Sequence, residues 1–435
     1  SWLDVGYGKD LQEFLLKHSH IKMVLDNQAK RSFAQADVNT VIALFSSPDD
    51  HRDSALDKTA RFVMFKVPFE HILSPIIFDE IEAANDRKST PEYHISPVSQ
   101  NVLLEGGWEW PEEADEEAKK RFGFALKGSK YGGNKWGGKY LRAPDIYWTI
   151  MEKGKDKLVR LGDIAEVRFG IKTGVNEFFY LDEAKIREWG IESEFLRPVL
   201  RRPKECKGIL INPNELQYKV FLIDKPKGEM KRTAALKYID YGESQGYHLL
   251  PTCASRTLWY SLGEPRPTQI AAKMTTKYRH YFPVCRSGIL VDHRFYEIRP
   301  TKGSVQGLAA SLNAPIVPLW LESTGRAYGG GGGPLDIMVY ELKQALLINP
   351  ELLDEDTNFW SEKILKRPVL HVWKESELSD RRAFDEVFFD LLGLTQGERE
   401  GVYEALINLV KGRLEKAKSL RLPDRHKPIE REEED

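Results

Sequence analysis

The chain has 435 residues, 41% hydrophobic and 30% charged, enough apolar material for two to four packed domains of ~100–200 residues each and too much for wholesale disorder. No apolar run reaches the ~18 residues that a membrane-spanning helix needs. The net charge of −2 comes from 64 basic and 66 acidic side chains, a near-cancellation that conceals strong segregation along the chain.

Leu11, Phe14 and Leu15 recur at helical spacing and predict a helix ending near Lys17. Ile21 to Leu25 reads as a short buried strand, Val38 to Phe45 as a β-branched core strand, and Phe62 to Val67 as a third. Residues 83–119 read as a connector, polar and then acidic, with six acids in 109–117. Lys130 to Arg142 alternates glycine, aromatic and lysine without a helical or strand period. It predicts a segment that drapes over a partner and builds no core, with lysines on phosphates and rings on sugars or bases.

From Leu158 the chain turns β-rich, with many short strands and turn residues up to about residue 350 and an amphipathic helix over 306–323. Gly170 to Asn176 is a glycine-punctuated loop ahead of the strand-like Phe178 to Leu181. The five glycines 329–333 read as a flexible loop, and no Gly-Lys-Ser/Thr follows to make them a phosphate-binding one. Phe384, Val387, Phe388, Leu391 and Leu392 share one helix face, with Gly393 placed to cap it. Thr395 and Glu398 form a capping box, and Val402, Leu406, Leu409, Val410 and Leu414 continue a second amphipathic helix. A C-terminal helical hairpin follows, and the tail beyond Leu422 reads as disordered.

Three segments carry a charge of +6 each: 121–142 with six basic and no acidic residues, 197–232 with ten against four, and 266–302 with eight against two. Each could be a solvated face. Three together, all with aromatics and glycines, point to a polyanion. No complete catalytic constellation is present: no His-Glu-x-x-His, no Cys-x-x-Cys, no Gly-x-Ser-x-Gly and no Walker motif. Cys206, Cys253 and Cys285 are too few and scattered for a disulfide framework or a four-ligand zinc site, so no metal is expected and a cytoplasmic compartment is the default. His18 and His20 fall on different helix faces, and Glu183-Ala184-Lys185 has the spacing of a nuclease site without a partner Asp.

Ser1-Trp2-Leu3-Asp4, Tyr7-Gly8, Leu11 and Phe14-Leu15-Leu16 resemble the helix that follows the catalytic motif in gamma-class adenine-specific DNA methyltransferases, including those of type IIG restriction–modification systems. Ile21, Asp26, Phe33-Ala34 and Val38 to Ile42 resemble the next two strands of that domain. Trp136 to Asp145 and Phe169 to Phe179 resemble the entry to the family's TaqI-like specificity domain. Leu312-Asn313-Ala314, Gly325-Arg326 and the glycine run resemble its end, and Arg413 with Lys416-Ala417 its usual tail.

The resemblance implies a fold class: α/β, as a partial Rossmann-like methyltransferase domain over 1–82, then a connector with a basic Gly/aromatic segment over 83–157. A mixed, β-rich α+β target-recognition domain (158–350), a C-terminal helical region (351–422) and an acidic tail (423–435) complete the expectation. It also implies transfer of methyl from S-adenosylmethionine to the exocyclic amine of adenine in the intact enzyme. The family's donor-binding loop and Asn-Pro-Pro-Tyr tetrapeptide are missing here; Asn212-Pro213-Asn214-Glu215 lacks the second Pro and the Tyr. The expectation is therefore the C-terminal part of such an enzyme, as a fragment or as one half of a split one. It would bind double-stranded DNA without turnover, have no catalytic residue and no bound S-adenosylmethionine of its own, and depend on an N-terminal methyltransferase half. A separate specificity subunit that recruits a catalytic chain is the alternative, and an RNA-binding protein a third reading.

By the same resemblance Phe33 holds the position that packs against the extruded adenine, where base–aromatic stacking contributes ~1–3 kcal/mol; an ordinary core role is the competing reading. Candidates for DNA contact are Lys130, Lys135, Lys139 and Arg142 on the backbone. Lys172, Thr173 and Asn176 in the glycine loop, Arg201 and Arg202, and Lys273, Lys277 and Arg279 are candidates for base edges or phosphates.

Overall fold

The computed structural model describes residues 2–4, 6–30, 40–47, 55–111, 115–327, 333–353, 360 and 362–418. Phe33, most of the glycine run and the acidic tail lie outside the described residues. The chain divides into two compact units, one of 1–148, 322–336 and 404–432, the other chiefly of 149–321 and 337–403.

In the first unit, helix α1 (Lys9–His18) leads into strand β1 (Ile21–Asn27), followed by β2 (Ile42–Phe45), β3 (Thr59–Phe65), β4 (Lys88–Ser89) and β5 (Tyr93–Ser99). They form one sheet in the order β2-β1-β3-β5-β4. β1 and β3 run parallel, while the β1–β2, β3–β5 and β5–β4 pairs are antiparallel. Alternation along β3 serves two cores: Ala60, Phe62 and Met64 join one, and Val63 and Phe65 the other. That is why the predicted β1 and β3 read as near-continuous apolar runs.

Three expectations for this unit need correcting. β2 is no core strand: among the described residues it pairs only with β1, at the end of the sheet, and Ile42, Leu44 and Phe45 are exposed. The segment expected as a connector supplies β5, whose inward side chains include the polar His94 and Ser96, so that buried polarity hides the strand pattern. The Gly/aromatic/Lys stretch does build a core. Tyr131, Trp136, Tyr140 and Leu141 are buried with Leu15, Leu16 and Phe62. Buried Gln12 stitches it in place, accepting from Tyr131 Oη (2.9 Å) and Asn134 N (3.0 Å) and donating to Asn134 O (2.9 Å).

Among the described residues, the two largest sheets of the second unit have four and five strands. One is formed by β7 (Tyr180–Leu181), β8 (Leu196–Leu200), β10 (Tyr218–Phe221) and β13 (Leu290–Val291) in the order β7-β10-β8-β13. The other is formed by β6 (Ala165–Phe169), β9 (Leu210–Ile211), β11 (Ile270–Lys273), β12 (Val284–Cys285) and β14 (Phe295–Pro300), in the order β9-β12-β11-β14-β6. The first packs on an aromatic core of Phe178, Phe179, Phe221 and Tyr238, with Phe178 stacked on Tyr238 at 4.8 Å.

The single amphipathic helix expected over 306–323 is two, α2 (Val305–Asn313) and α3 (Ile316–Thr324), with Pro315 between them. Both are buried almost all round, as their apolar composition on every side requires. The C-terminal hairpin forms as read: α4 (Ser379–Leu392) ends at Gly393 with φ +64°, and α5 spans Gln396–Lys418. Thr395 N donates to Glu398 Oε2 (2.7 Å), while Glu398 N donates to Thr395 Oγ1 (3.4 Å). No helix among the described residues is long and apolar enough to cross a membrane.

Candidate nucleic-acid interface

Three strand ends of the second unit interlock. Asp292 N donates to Leu200 O (3.0 Å) at the end of β8. Ile171 N donates to Val291 O (2.8 Å), and His293 N to Ile171 O (3.0 Å). The loop that follows β6, the turn between β13 and β14 and the end of β8 are thereby held side by side. Gly170 makes this approach possible: a Cβ there would lie 2.4 Å from the carbonyl oxygens of both Val291 and Asp292. Gly174, at φ +84°, then turns the loop against Thr252 in a conformation that suits glycine.

The segments present Lys172, Arg201, Arg202, His293 and Arg294 around one buried acid. Asp292, 1% exposed, accepts from Tyr180 Oη at 2.6 Å and from Arg294 N at 3.0 Å. Burial and the Asp292 carboxylate both push the Tyr180 hydroxyl above its usual range, so it stays a donor. The Arg294 and His293 side chains also approach Asp292, at 4.0 and 3.3 Å, yet both are largely exposed. Arg201 lies over the rings of Tyr218 (4.5 Å) and Tyr180 (5.3 Å), and Arg202 over Tyr218 (5.8 Å). Ring stacking leaves the N–H groups of a guanidinium available to a bidentate acceptor such as phosphate.

Arg256 buckles the glycine loop from behind. It donates to Lys172 O (2.8 Å), Thr173 O (2.9 Å) and Trp259 O (3.3 Å) and lies over Phe179. Replacing it by Met orphans these carbonyls at ~1–3 kcal/mol. Arg256→Met is expected to lower the unfolding temperature and to speed amide exchange across 170–176; unchanged exchange there would show that the buckle is dispensable.

Beside the cluster runs a cleft of about 750 Å³, lined among others by Arg168, Phe169, Lys172, Arg266, Glu264 and Glu297. Its charge is mixed. Burial raises the affinity of the Glu297 carboxyl for its proton.

Of the residues singled out from sequence, Lys172, Arg201 and Arg202 are brought together. Asn176 opens a short helix behind them and accepts from the Thr173 hydroxyl, and Thr173 is 2% exposed, so its side chain faces inward. Lys273 lies half-buried with its ammonium 4.1 Å from the centre of the Tyr281 ring, and burial lowers its pKa. Lys277 sits over Tyr278 at 4.9 Å. Arg279 is a correction: its side chain is 9% exposed and pairs with Glu375 at 2.5 Å, which removes it from the set available to a ligand.

Lys130, Lys135, Lys139 and Arg142 belong to the first unit. Lys130 is exposed and pairs with Glu109 (3.5 Å), while Lys135 Nζ donates to Thr324 O (3.3 Å). Lys139 lies over Tyr140 and Trp148, and Arg142 joins Asp4 (3.3 Å) to Gly325 O (3.1 Å). These cations are largely engaged in holding their own unit. Arg256, Phe169, His293 and Arg294 were not singled out from sequence. For Arg294 the signal was there, in the basic run 266–302; for Phe169, an aromatic beside a glycine loop.

Comparison with known families identifies the class as type II methyltransferase domains. The model of the M.Eco57I C-terminal domain matches residues 133–367, more than half of the chain, and the chain belongs to that family. Among curated proteins, the type II methyltransferase M.AccI of Acinetobacter calcoaceticus is 24% identical over 262 residues, which cover 56% of this chain and 46% of that protein. Among solved structures, the type IIG restriction endonuclease BpuSI aligns over 97% of this chain and 47% of its own, with 10% identity and a TM-score of 0.48. The HsdS subunit from Thermoanaerobacter tengcongensis aligns over 62% and 50%, with 12% identity and a TM-score of 0.25. The chain thus spans about half the length of the relatives it matches.

Proposed function

We propose that this chain is the DNA-recognition part of an adenine-specific DNA methyltransferase of a restriction–modification system. The observation that carries the reading is the joining of three strand ends into one cationic surface, Lys172, Arg201, Arg202 and Arg294, within a chain of the type II methyltransferase family. A duplex presents phosphates in rows, and a rigid array of lysine and stacked arginine side chains complements them. In the whole enzyme, S-adenosylmethionine would supply the methyl group, and residues beyond those of this surface would hold the donor and the extruded adenine. The sequence carries no Asn-Pro-Pro-Tyr tetrapeptide, so this chain on its own is expected to retain duplex DNA and to transfer no methyl group to it. A filter-binding assay with a labelled donor tests both halves. Retention of duplex without incorporated label supports the reading; failure to retain duplex at low salt, or robust incorporation, contradicts it.

A further inference from the structure

Phe169 is 57% exposed, an unusual position for a phenylalanine at the end of a structured strand. It is also rigidly mounted. It ends β6 directly opposite Tyr296 of β14, and its ring meets that of Tyr296 edge-on at 5.2 Å. Tyr296 is fully buried, its hydroxyl donating to Ile337 O at 2.9 Å, and Gly170 N donates to Phe295 O at 3.0 Å just beyond Phe169. A ring held this way loses little freedom on contact with a ligand.

The cleft beside it differs in chemistry from the strand-end cluster. Glu264 and Glu297 line it together with Arg168 and Arg266. Carboxylates repel phosphate at close range, so a cleft of mixed sign suits base edges better than backbone. In the major groove, arginine matches guanine O6 and N7, a carboxylate matches the cytosine amine, and an apolar ring matches the thymine 5-methyl group. All three kinds of complement meet here.

We propose that Phe169 is a specificity-determining residue that reads a thymine 5-methyl group in the major groove, with the cleft beside it facing neighbouring base edges. This rests on the DNA-recognition reading above. The strand-end cluster grips phosphate and sets affinity; the cleft selects sequence.

The test uses duplexes selected from a randomised pool by the full chain, with each thymine of the selected site replaced in turn by deoxyuridine. The wild-type chain is expected to lose affinity roughly fourfold at one thymine, the effect of removing one buried methyl group. Phe169→Ala is expected to bind the thymine and deoxyuridine duplexes equally, and Phe169→Leu, which keeps an apolar contact, to retain the discrimination. No penalty at any thymine, or the same penalty persisting in Phe169→Ala, overturns the inference while leaving DNA recognition intact. A wild-type chain that selects no duplex overturns both. The wild-type deoxyuridine series needs no variant, so a misfolded Phe169→Ala would not rescue the inference.

Discussion

Replacing Arg201, Arg202 and Arg294 together by Gln is expected to weaken duplex binding roughly 10²–10³-fold at 0.1 M salt. Each phosphate contact contributes about 0.9 to the slope of log K against log salt, so three lost contacts flatten the slope by about 3 and remove close to tenfold each on going from 1 M to 0.1 M. The loss should be uniform across DNA sequences, because phosphate contacts carry no sequence information. Glutamine removes the guanidinium contacts of Arg201 and Arg202 with Tyr218 but leaves the buried Asp292–Tyr180 hydrogen bond in place, so thermal unfolding should shift little. Fluorescence anisotropy at several salt concentrations reads the slope. An unchanged slope would mean that these arginines do not face DNA.

The largest stability effect is expected at Glu375, which lies between two guanidinium groups. It pairs with Arg279 (2.5 Å) and Arg367 (2.6 Å), and its carboxylate also accepts from Leu370 N (2.7 Å). Burial alone would raise its pKa. The Arg367 hydrogen bond, the Arg279 charge and the Leu370 amide outweigh burial and hold the carboxyl at about 2, well below its usual 4.5. Burial, together with the Arg381 charge, lowers the Arg279 guanidinium to about 10 against the pull of Glu375. Glu375→Ala strands Arg279 in the interior and is expected to cost about 3–5 kcal/mol, whereas Arg279→Met with Glu375→Leu leaves no orphaned Arg279 and should recover much of it.

The pH dependence follows from the sign of the shift. A carboxyl whose folded pKa is depressed adds stability that is fully present above about 4.5 and is lost as pH falls toward about 2. Denaturant unfolding between pH 5 and 2 should therefore show a loss that is smaller in Glu375→Gln. Equal acid sensitivity in both proteins would show that Glu375 is not the group responsible.

Elements whose apolar pattern matches their period were legible in the sequence. β1 and β3 showed as apolar runs because both of their faces are buried, α1 showed by its spacing although Leu11 and Phe14 stay exposed and Leu15 is buried, and Gly393, Thr395 and Glu398 mark the turn of the α4–α5 hairpin through their own local chemistry. β5 was hidden because His94 and Ser96 occupy inward positions, paired with each other at 3.1 Å. The stretch around Trp136 misled because glycine and lysine made it look solvated, although its rings turn inward while Lys139 lies across Tyr140 and Trp148. The same ambiguity governs the site. Composition marks where cations are dense, but Arg201 stays outside on Tyr218 while Arg279 is drawn into the interior by Glu375, 96 positions later in the chain. Such long-range pairing leaves no trace in a local window. Phe33 lies outside the described residues, and its role in stacking the extruded base remains a proposal.

The central claim is that three chain segments, far apart in sequence, form one DNA-facing surface. Hydrogen–deuterium exchange with and without duplex DNA tests it most directly. Slowed exchange is expected together at 170–173, 200–202 and 291–295, with the β1 and β3 amides of the first sheet unchanged. Tight duplex binding that leaves all three segments unprotected would contradict the account.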